Sequence, residues 1–168
     1  MIYLKEANLE DAAKEYAFIR ELPPCENGFT NFCFGMSEEE FTARALPRMM
    51  DFARGAGLPV GYVPETNLFL WEDGEVVGLF RLRHALTEWL RVGAGHIGYA
   101  IAKPHRGRGL ATRGLALALE YARGVVREDE IYMSVSRTNA ASLRAQQKNG
   151  AYIHHSDGEW HYTRIKLS

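Results

Sequence analysis

The chain has 168 residues, 46% hydrophobic and 24% charged, with 20 Lys and Arg against 21 Asp and Glu for a formal net charge of −1. This length lets one domain bury a core without metal or disulfide staples, and the near-neutral balance excludes a whole-chain nucleic-acid binder or a basic membrane-surface protein. Cys25 and Cys33 are too few for a disulfide framework and off the spacing of a usual zinc site, so reduced thiols are expected.

Met1–Glu6 meets charge at once, unlike a signal peptide, and no segment approaches the ~18 apolar residues of a membrane helix. The expectation is a single cytoplasmic domain over residues 1–168, with no membrane or nucleic-acid partner. Ile2–Glu6 reads as a short strand. Asn8, with Asp11 three residues on, resembles a helix start, and Leu9, Ala12, Ala13, Tyr16 and Ile19 give that helix an apolar stripe. Pro23-Pro24 ends it, and Glu26–Gly35 reads as a loop. Ser37 to Glu40 is a capping-box pattern, opening a helix with Phe41, Ala45, Met49, Phe52 and Ala53 on one face. Gly55–Pro59 breaks it, and a loop continues to about Glu65.

Asn67–Trp71 and Val76–His84 read as strands around Asp73-Gly74, a dipeptide that favours positive φ and a tight hairpin. Thr87–Val92 links them to a partly buried strand, His96–Ile101, closed by Pro104. From Leu110 the pattern turns helical, with Ala111, Leu115, Ala118, Leu119 and Ala122 on one face to about Arg123. Ile131–Ser136 is a strand, Asn139 an N-cap, Leu143 the start of an apolar face and Gly150 a stop. Ala151–His155 and Trp160–Leu167 close the chain as an antiparallel pair around Asp157-Gly158. The order β-α-α-β-β-β-α-β-α-β-β fits an α/β (α+β) fold: a mixed sheet, helices on both faces, and one parallel crossover through the helix after Gly109.

The chemistry concentrates between Gly93 and Thr112. Arg106-Gly107-Arg108-Gly109 sets two residues without side chains beside two positive charges, immediately before a helix. A glycine-bearing turn into a helix N-terminus exposes unpaired N–H groups at the positive end of the helix dipole, and so suits a phosphate-bearing cofactor. Such loops are where open sheets place ligands.

Arg106 to Ala111 matches the Arg/Gln-x-x-Gly-x-Gly/Ala signature of the GNAT superfamily of acyl-CoA-dependent N-acetyltransferases. Asn139-Ala140-Ala141-Ser142 with Asn149-Gly150-Ala151 resembles the family's Asn-x-x-Ala/Ser…Gly-Phe helix. Val63-Pro64-Glu65-Thr66, Arg83-His84-Ala85-Leu86 and Ala94-Gly95-His96-Ile97-Gly98-Tyr99 resemble a bacterial subgroup of predicted acetyltransferases with Arg-His-x-Leu and Gly-His-Ile-Gly-Tyr motifs. The resemblance implies a GNAT-like mixed central sheet of about seven strands flanked by about four helices, with acetyl-CoA as cofactor. It implies transfer of an acetyl group to a primary amine of a small-molecule or amino-acid-like acceptor by direct attack in a ternary complex. CoA contacts are then expected from Tyr99, Ala100 and Ile101, from Arg106, Gly107, Arg108, Gly109, Leu110, Ala111 and Thr112, and from Asn139 and Ser142. A non-catalytic acyl-CoA-binding sensor or interaction module, and an acetyltransferase for protein or peptide amines, stay open. A homodimer is a possible assembly, since dimers are common among proteins of this resemblance.

For catalysis, His96 and Tyr99 are the candidates. Strand alternation puts His96 on one face with Gly98 and Ala100, leaving room for an acceptor, and a neutral imidazole can take its proton. Glu26, Glu65 and Glu88 are the other candidate bases. Phe29, Phe32 and Phe34, the region Val60–Thr66, and Arg83 and His84 are expected around the acceptor. No metal is expected, because His154, His155 and His161 have no acidic or cysteine partner at ligand spacing. Gln146 falls where many relatives carry a tyrosine that protonates the departing thiolate. An amide cannot do this, which leaves Tyr99, Tyr152 or water.

Overall fold

In the computed structural model, which describes residues 1–168, strand β1 (Ile2–Glu6) leads into helix α1 (Ala12–Ile19). The Asn8 side chain accepts the Asp11 N–H at 3.0 Å, and the helix proper begins four residues after Asn8. The stretch expected as a loop contains a tiny hairpin, β2 (Cys25–Glu26) and β3 (Phe29–Thr30). Its turn is Asn27-Gly28, at φ 51° and 83°, the left-handed pair that closes a two-residue connection. Ser37 Oγ then caps α2 (Glu38–Glu40), accepting the Glu40 N–H at 3.1 Å. A widened π turn, Phe41–Ala45, connects it to α3 (Leu46–Ala53), with the Leu46 N–H reaching back to the Phe41 carbonyl. Pro47 explains the widening: it has no N–H to donate, and its ring crowds the carbonyl one turn back.

Strands β4 (Glu65–Glu72) and β5 (Glu75–Arg83) form the hairpin expected around Asp73 and Gly74, which take φ 51° and 84°. Thr87 caps a short helix, α4 (Glu88–Val92), before β6 (Ile97–Ile101). The strand order is β1-β4-β5-β6, antiparallel throughout. Alternation sends Leu68, Leu70, Phe80, Leu82 and Ile97 to one face, against helix α5 (Leu110–Ala122). Phe69, Trp71 and Leu79 go to the other, against Phe18, Ile19, Phe41 and Leu46. Burying each such side chain is worth about 1.5–3 kcal/mol, and helices are held to both faces by this.

Beyond α5, strands β7 (Glu130–Ser136), β8 (Tyr152–Ser156) and β9 (Trp160–Lys166), with α6 (Ala140–Lys148) between β7 and β8, build a second sheet in the order β7-β9-β8. The four strands of one sheet and the three of the other make the central α+β architecture. The crossover through α5 does not produce a parallel ladder. β6 and β7 touch at a single bridge, Gly95 to Met133, where the His96 N–H donates to the Tyr132 carbonyl at 2.7 Å. Gly95 permits this approach: at φ 69°, a Cβ would lie 2.1 Å from the Tyr132 oxygen. Past that bridge the strands belong to different sheets, and the gap between them is the cleft described next. No helix is long and apolar enough to cross a membrane.

Candidate active site

A cleft of about 560 Å³ opens between β6 and β7. Ile97–Ile101 form one wall, Ser134 and Val135 the other, and Asn139, Ser142 and Gln146 of α6 line it further along. At its mouth lie Arg106, Gly107, Gly109, Leu110, Ala111 and Thr112. Gly107 and Gly109 both sit at φ 77°, which lets the turn curl into the first turn of α5. The N–H groups from Gly107 to Thr112 have no acceptor within the protein. A helix of 13 residues stands behind them, so their partial positive charges add to its dipole and face an anion.

The wall is polar in a regular way. The Ala102 N–H bonds to the Val77 carbonyl at 2.8 Å, which sets the alternation of the β5–β6 ladder. Gly98 and Ala100 therefore direct their backbone groups at β5, while Tyr99 and Ile101 direct theirs to the free edge. The Ile101 carbonyl accepts from Arg106 Nε at 2.9 Å, and the Arg106 guanidinium also pairs with Glu26 of β2. Arg106 thus ties the turn to both strands as a brace. Arg108 points elsewhere, pairing with Glu72 at 2.9 Å and meeting His105 at 3.1 Å, and its side chain does not line the cleft. Asn139 caps α6 by accepting the Ser142 N–H at 3.3 Å, and it borders the cleft as well.

Inside the cleft, the Tyr99 hydroxyl stands 2.7 Å from Ser142 Oγ, and its ring stacks on Phe80 at 5.1 Å. Burial raises its pKa, with the Ser142 and Gln146 side chains acting in the opposite sense. Tyr99 is therefore a neutral phenol with a proton to give. Gln146 is buried and accepts from Thr163 Oγ1 at 2.6 Å, so its carbonyl is already engaged.

A second chamber of about 750 Å³ lies on the opposite side of Arg81 and Arg83, which border both cavities. Gly61, Tyr62, Val63, Glu65 and Phe32, expected around an acceptor, line it; Phe29 lines the cleft, and Phe34 lines neither. Its charged lining is Arg44, Arg48, Arg81, Arg83 and Glu65. Arg83 Nη1 donates to the Gly95 carbonyl at 3.0 Å, and its Nε is 3.5 Å from Glu65. The residue that sequence reasoning missed is Arg81. A single arginine inside the apolar run Val77–Leu82 was the signal that could have found it.

His96 and His84, like Arg108 and Phe34, stand outside both cavities. His96 is fully buried: Nδ1 accepts the Tyr132 N–H and Nε2 meets Glu128, each at 2.9 Å. With both nitrogens engaged and no opening to the cleft, it cannot reach an acceptor. The alternation argument holds from Gly98 onward, but at His96 the strand has already closed on β7. His84 turns away too, its Nε2 2.7 Å from Thr66 Oγ1. No group of three or more His, Cys, Asp or Glu side chains converges as metal ligands would.

The model of the acetyltransferase (GNAT) domain family matches residues 4–152. No curated protein matches the chain. Among solved structures, the acetyltransferase of GNAT family from Streptococcus pneumoniae aligns with a TM-score of 0.66 at 20% identity, covering 100% of both chains. Mycobacterium smegmatis RimJ in complex with CoA-disulfide aligns with a TM-score of 0.68 at 22% identity, over 98% of this chain and 81% of that one. Spermidine N-acetyltransferase from Vibrio cholerae, in complex with CoA and spermine, aligns with a TM-score of 0.63 at 15% identity, over 99% and 95%.

Proposed function

We propose that this chain, which belongs to the GNAT family of acetyltransferases, moves an acetyl group from acetyl-CoA to a primary amine of a small-molecule or amino-acid-like acceptor by direct attack. The observation that carries this reading is the run of acceptor-free N–H groups from Gly107 to Thr112, set at the mouth of a cleft whose wall is the free edge of β6. These features fit a long ligand with a phosphorylated end and an amide-bearing arm. The similar structures from M. smegmatis and V. cholerae hold CoA or its disulfide, which supports the choice of cofactor.

Bound acetyl-CoA supplies an acetyl thioester. The turn Gly107–Thr112 would hold its pyrophosphate, the backbone of Tyr99 and Ile101 its amide arm, and Asn139 and Ser142 the side of that arm. The Tyr99 hydroxyl, on the same wall, is the group placed to return a proton to a sulfur leaving group. On the acceptor side, Glu65 is the carboxylate on the chamber wall, beside Arg83, which borders the cleft. It can hold an ammonium and accept its proton, directly or through water. The motifs that resemble those of the bacterial subgroup fit a division of labour, with Glu65 and Arg83 at the acceptor and Tyr99 at the thioester.

Thiol release from acetyl-CoA, measured against a panel of small amines, amino acids and N-terminal peptides, tests the reading. Turnover with small amines is expected. Tight CoA binding without turnover across the panel would favour the sensor, and turnover confined to peptides the protein-directed enzyme.

A further inference from the structure

We propose that the chamber behind Arg81 selects an acceptor amine that also carries a carboxylate, and that Arg81, Arg44 and Arg48 hold this carboxylate. The inference rests on the transferase reading for the amine end of the acceptor and adds the chemistry of the other end.

Four guanidinium groups line the chamber against one carboxylate, Glu65, and that one is already beside Arg83. Arg81, Arg44 and Arg48 have no acidic partner. Arg81 is the unusual one. It is only 9% exposed, and its guanidinium lies 4.1 Å from the ring centre of Phe29 and 4.9 Å from that of Phe32, donating to the Thr30 carbonyl. Aromatic faces and one carbonyl soften the burial of a cation, but they do not neutralise it. Burial pushes its pKa down to about 10, so it keeps its charge at neutral pH.

Arg44 comes from the widened turn Phe41–Ala45, and Arg48 from α3, where it lies 4.9 Å over the Phe52 ring. Both are exposed, yet both border the chamber, so an anion entering it meets positive charge from two directions. Tyr62 and Trp89 offer apolar area at its rim, exposed by 60% and 82%. The lining thus fits an acceptor with an apolar body, a carboxylate among the arginines and an ammonium at Glu65, next to Arg83 and the cleft. A polyamine meets the wrong sign of charge everywhere except at Glu65.

The test pairs turnover with binding. Thiol release is compared for L-phenylalanine, L-phenylalaninamide, 2-phenylethylamine, O-phosphoethanolamine and spermidine. Phenylalanine should have a kcat/KM at least tenfold above the amide and the amine, and the Arg44→Gln/Arg48→Gln pair should shrink that advantage severalfold. Separately, calorimetry follows 3-phenylpropionate binding to the CoA-saturated protein. Arg81→Met should weaken that binding at least tenfold, and the Arg44→Gln/Arg48→Gln pair, whose side chains line the chamber and not the cleft, should weaken it severalfold while leaving CoA affinity unchanged. Equal turnover of the three phenyl compounds, a preference for spermidine or O-phosphoethanolamine, or unaltered 3-phenylpropionate binding in Arg81→Met would overturn the proposal. If no amine turns over, the transferase reading fails, and the calorimetry still decides whether the chamber holds a carboxylate.

Discussion

His96 and Glu128 are joined, Nε2 to Oε1, across 2.9 Å, at the point where β6 and β7 come together. Because Nδ1 accepts the Tyr132 N–H at 2.9 Å, the proton of the neutral ring sits on Nε2 and points at the carboxylate. Glu128 also accepts the Leu86 N–H at 3.3 Å and faces Arg91 at 3.4 Å. The histidine therefore fastens the two strands at the root of the cleft, with neither ring nitrogen free to take a proton from an acceptor.

Replacing His96 by Ala should cost stability and leave the shape of the pH–rate profile alone. The loss should be about 2–3 kcal/mol by chemical denaturation at pH 7.5, from the cavity and the carboxylate left behind. Burial lowers the pKa of His96, with Glu128 opposing. Burial is the largest influence on Glu128 and acts to raise its pKa, but the His96 hydrogen bond, the charge interaction with His96 and the backbone N–H groups of Leu86 and Glu128 together outweigh it, and the net direction is down. Both groups thus release protons more readily when folded than when unfolded. Their stabilisation is complete above the ordinary histidine value of 6.5 and declines as pH falls below it. A profile that loses its acidic limb in His96→Ala would restore the histidine as a base.

Gly109→Trp should leave the protein folded and abolish cofactor binding. A Cβ at Gly109 would meet nothing within 4 Å, so the side chain starts into open space, though φ 77° imposes a strain of about 1–2 kcal/mol. That space is the cleft mouth. CoA affinity by calorimetry should fall at least about a hundredfold, and wild-type affinity would move the phosphate site elsewhere.

What could be read in advance follows the range of the forces involved. Local chemistry was legible: Ser37 and Asn139 cap their helices, Asp73-Gly74 turns its hairpin, and the glycine-bearing turn before Leu110 leads into a helix, with Gly107 and Gly109 at positive φ. The apolar runs on either side of Asp73-Gly74 were readable as the strands β4 and β5. The small hairpin around Asn27-Gly28 escaped because its strands have two residues each, too few for any periodicity. The partners of His96 and His84 escaped for another reason. Glu128 lies 32 residues from His96, and Thr66 18 residues from His84, and neither separation leaves a local pattern. Arg108 looked like a phosphate ligand in the motif, but Glu72, 36 residues away, pairs with its side chain.

Tyr99→Phe separates binding from proton delivery. The ring should keep its stack on Phe80, so CoA affinity should be unchanged within about twofold. Loss of the hydroxyl removes the proton donor on that wall. A thiol of pKa about 8.5 leaves with little help, so kcat should fall about tenfold, below the usual span of general acid catalysis. Because burial raises the phenol pKa, this difference should persist across the neutral range. An unchanged kcat would leave the sulfur to be protonated by water.

Glu15 carries the opposite pH signature to His96. Its side chain is fully buried in α1, with Oε1 accepting the Asn8 N–H at 3.1 Å and Oε2 without a partner. Burial pushes its pKa up to about 8, against an ordinary value of 4.5. Between those values the folded chain holds a proton that the unfolded chain has released, so folding stability falls as pH rises through that window. Glu15→Gln keeps an oxygen for the Asn8 N–H and has no proton to lose. It should therefore be more stable than wild type at pH 8, by about 2–4 kcal/mol, and nearly equal to it at pH 4.5. Denaturant titrations at both pH values measure the difference, and parallel stability curves for the two proteins would show that Glu15 is ionised in the folded state.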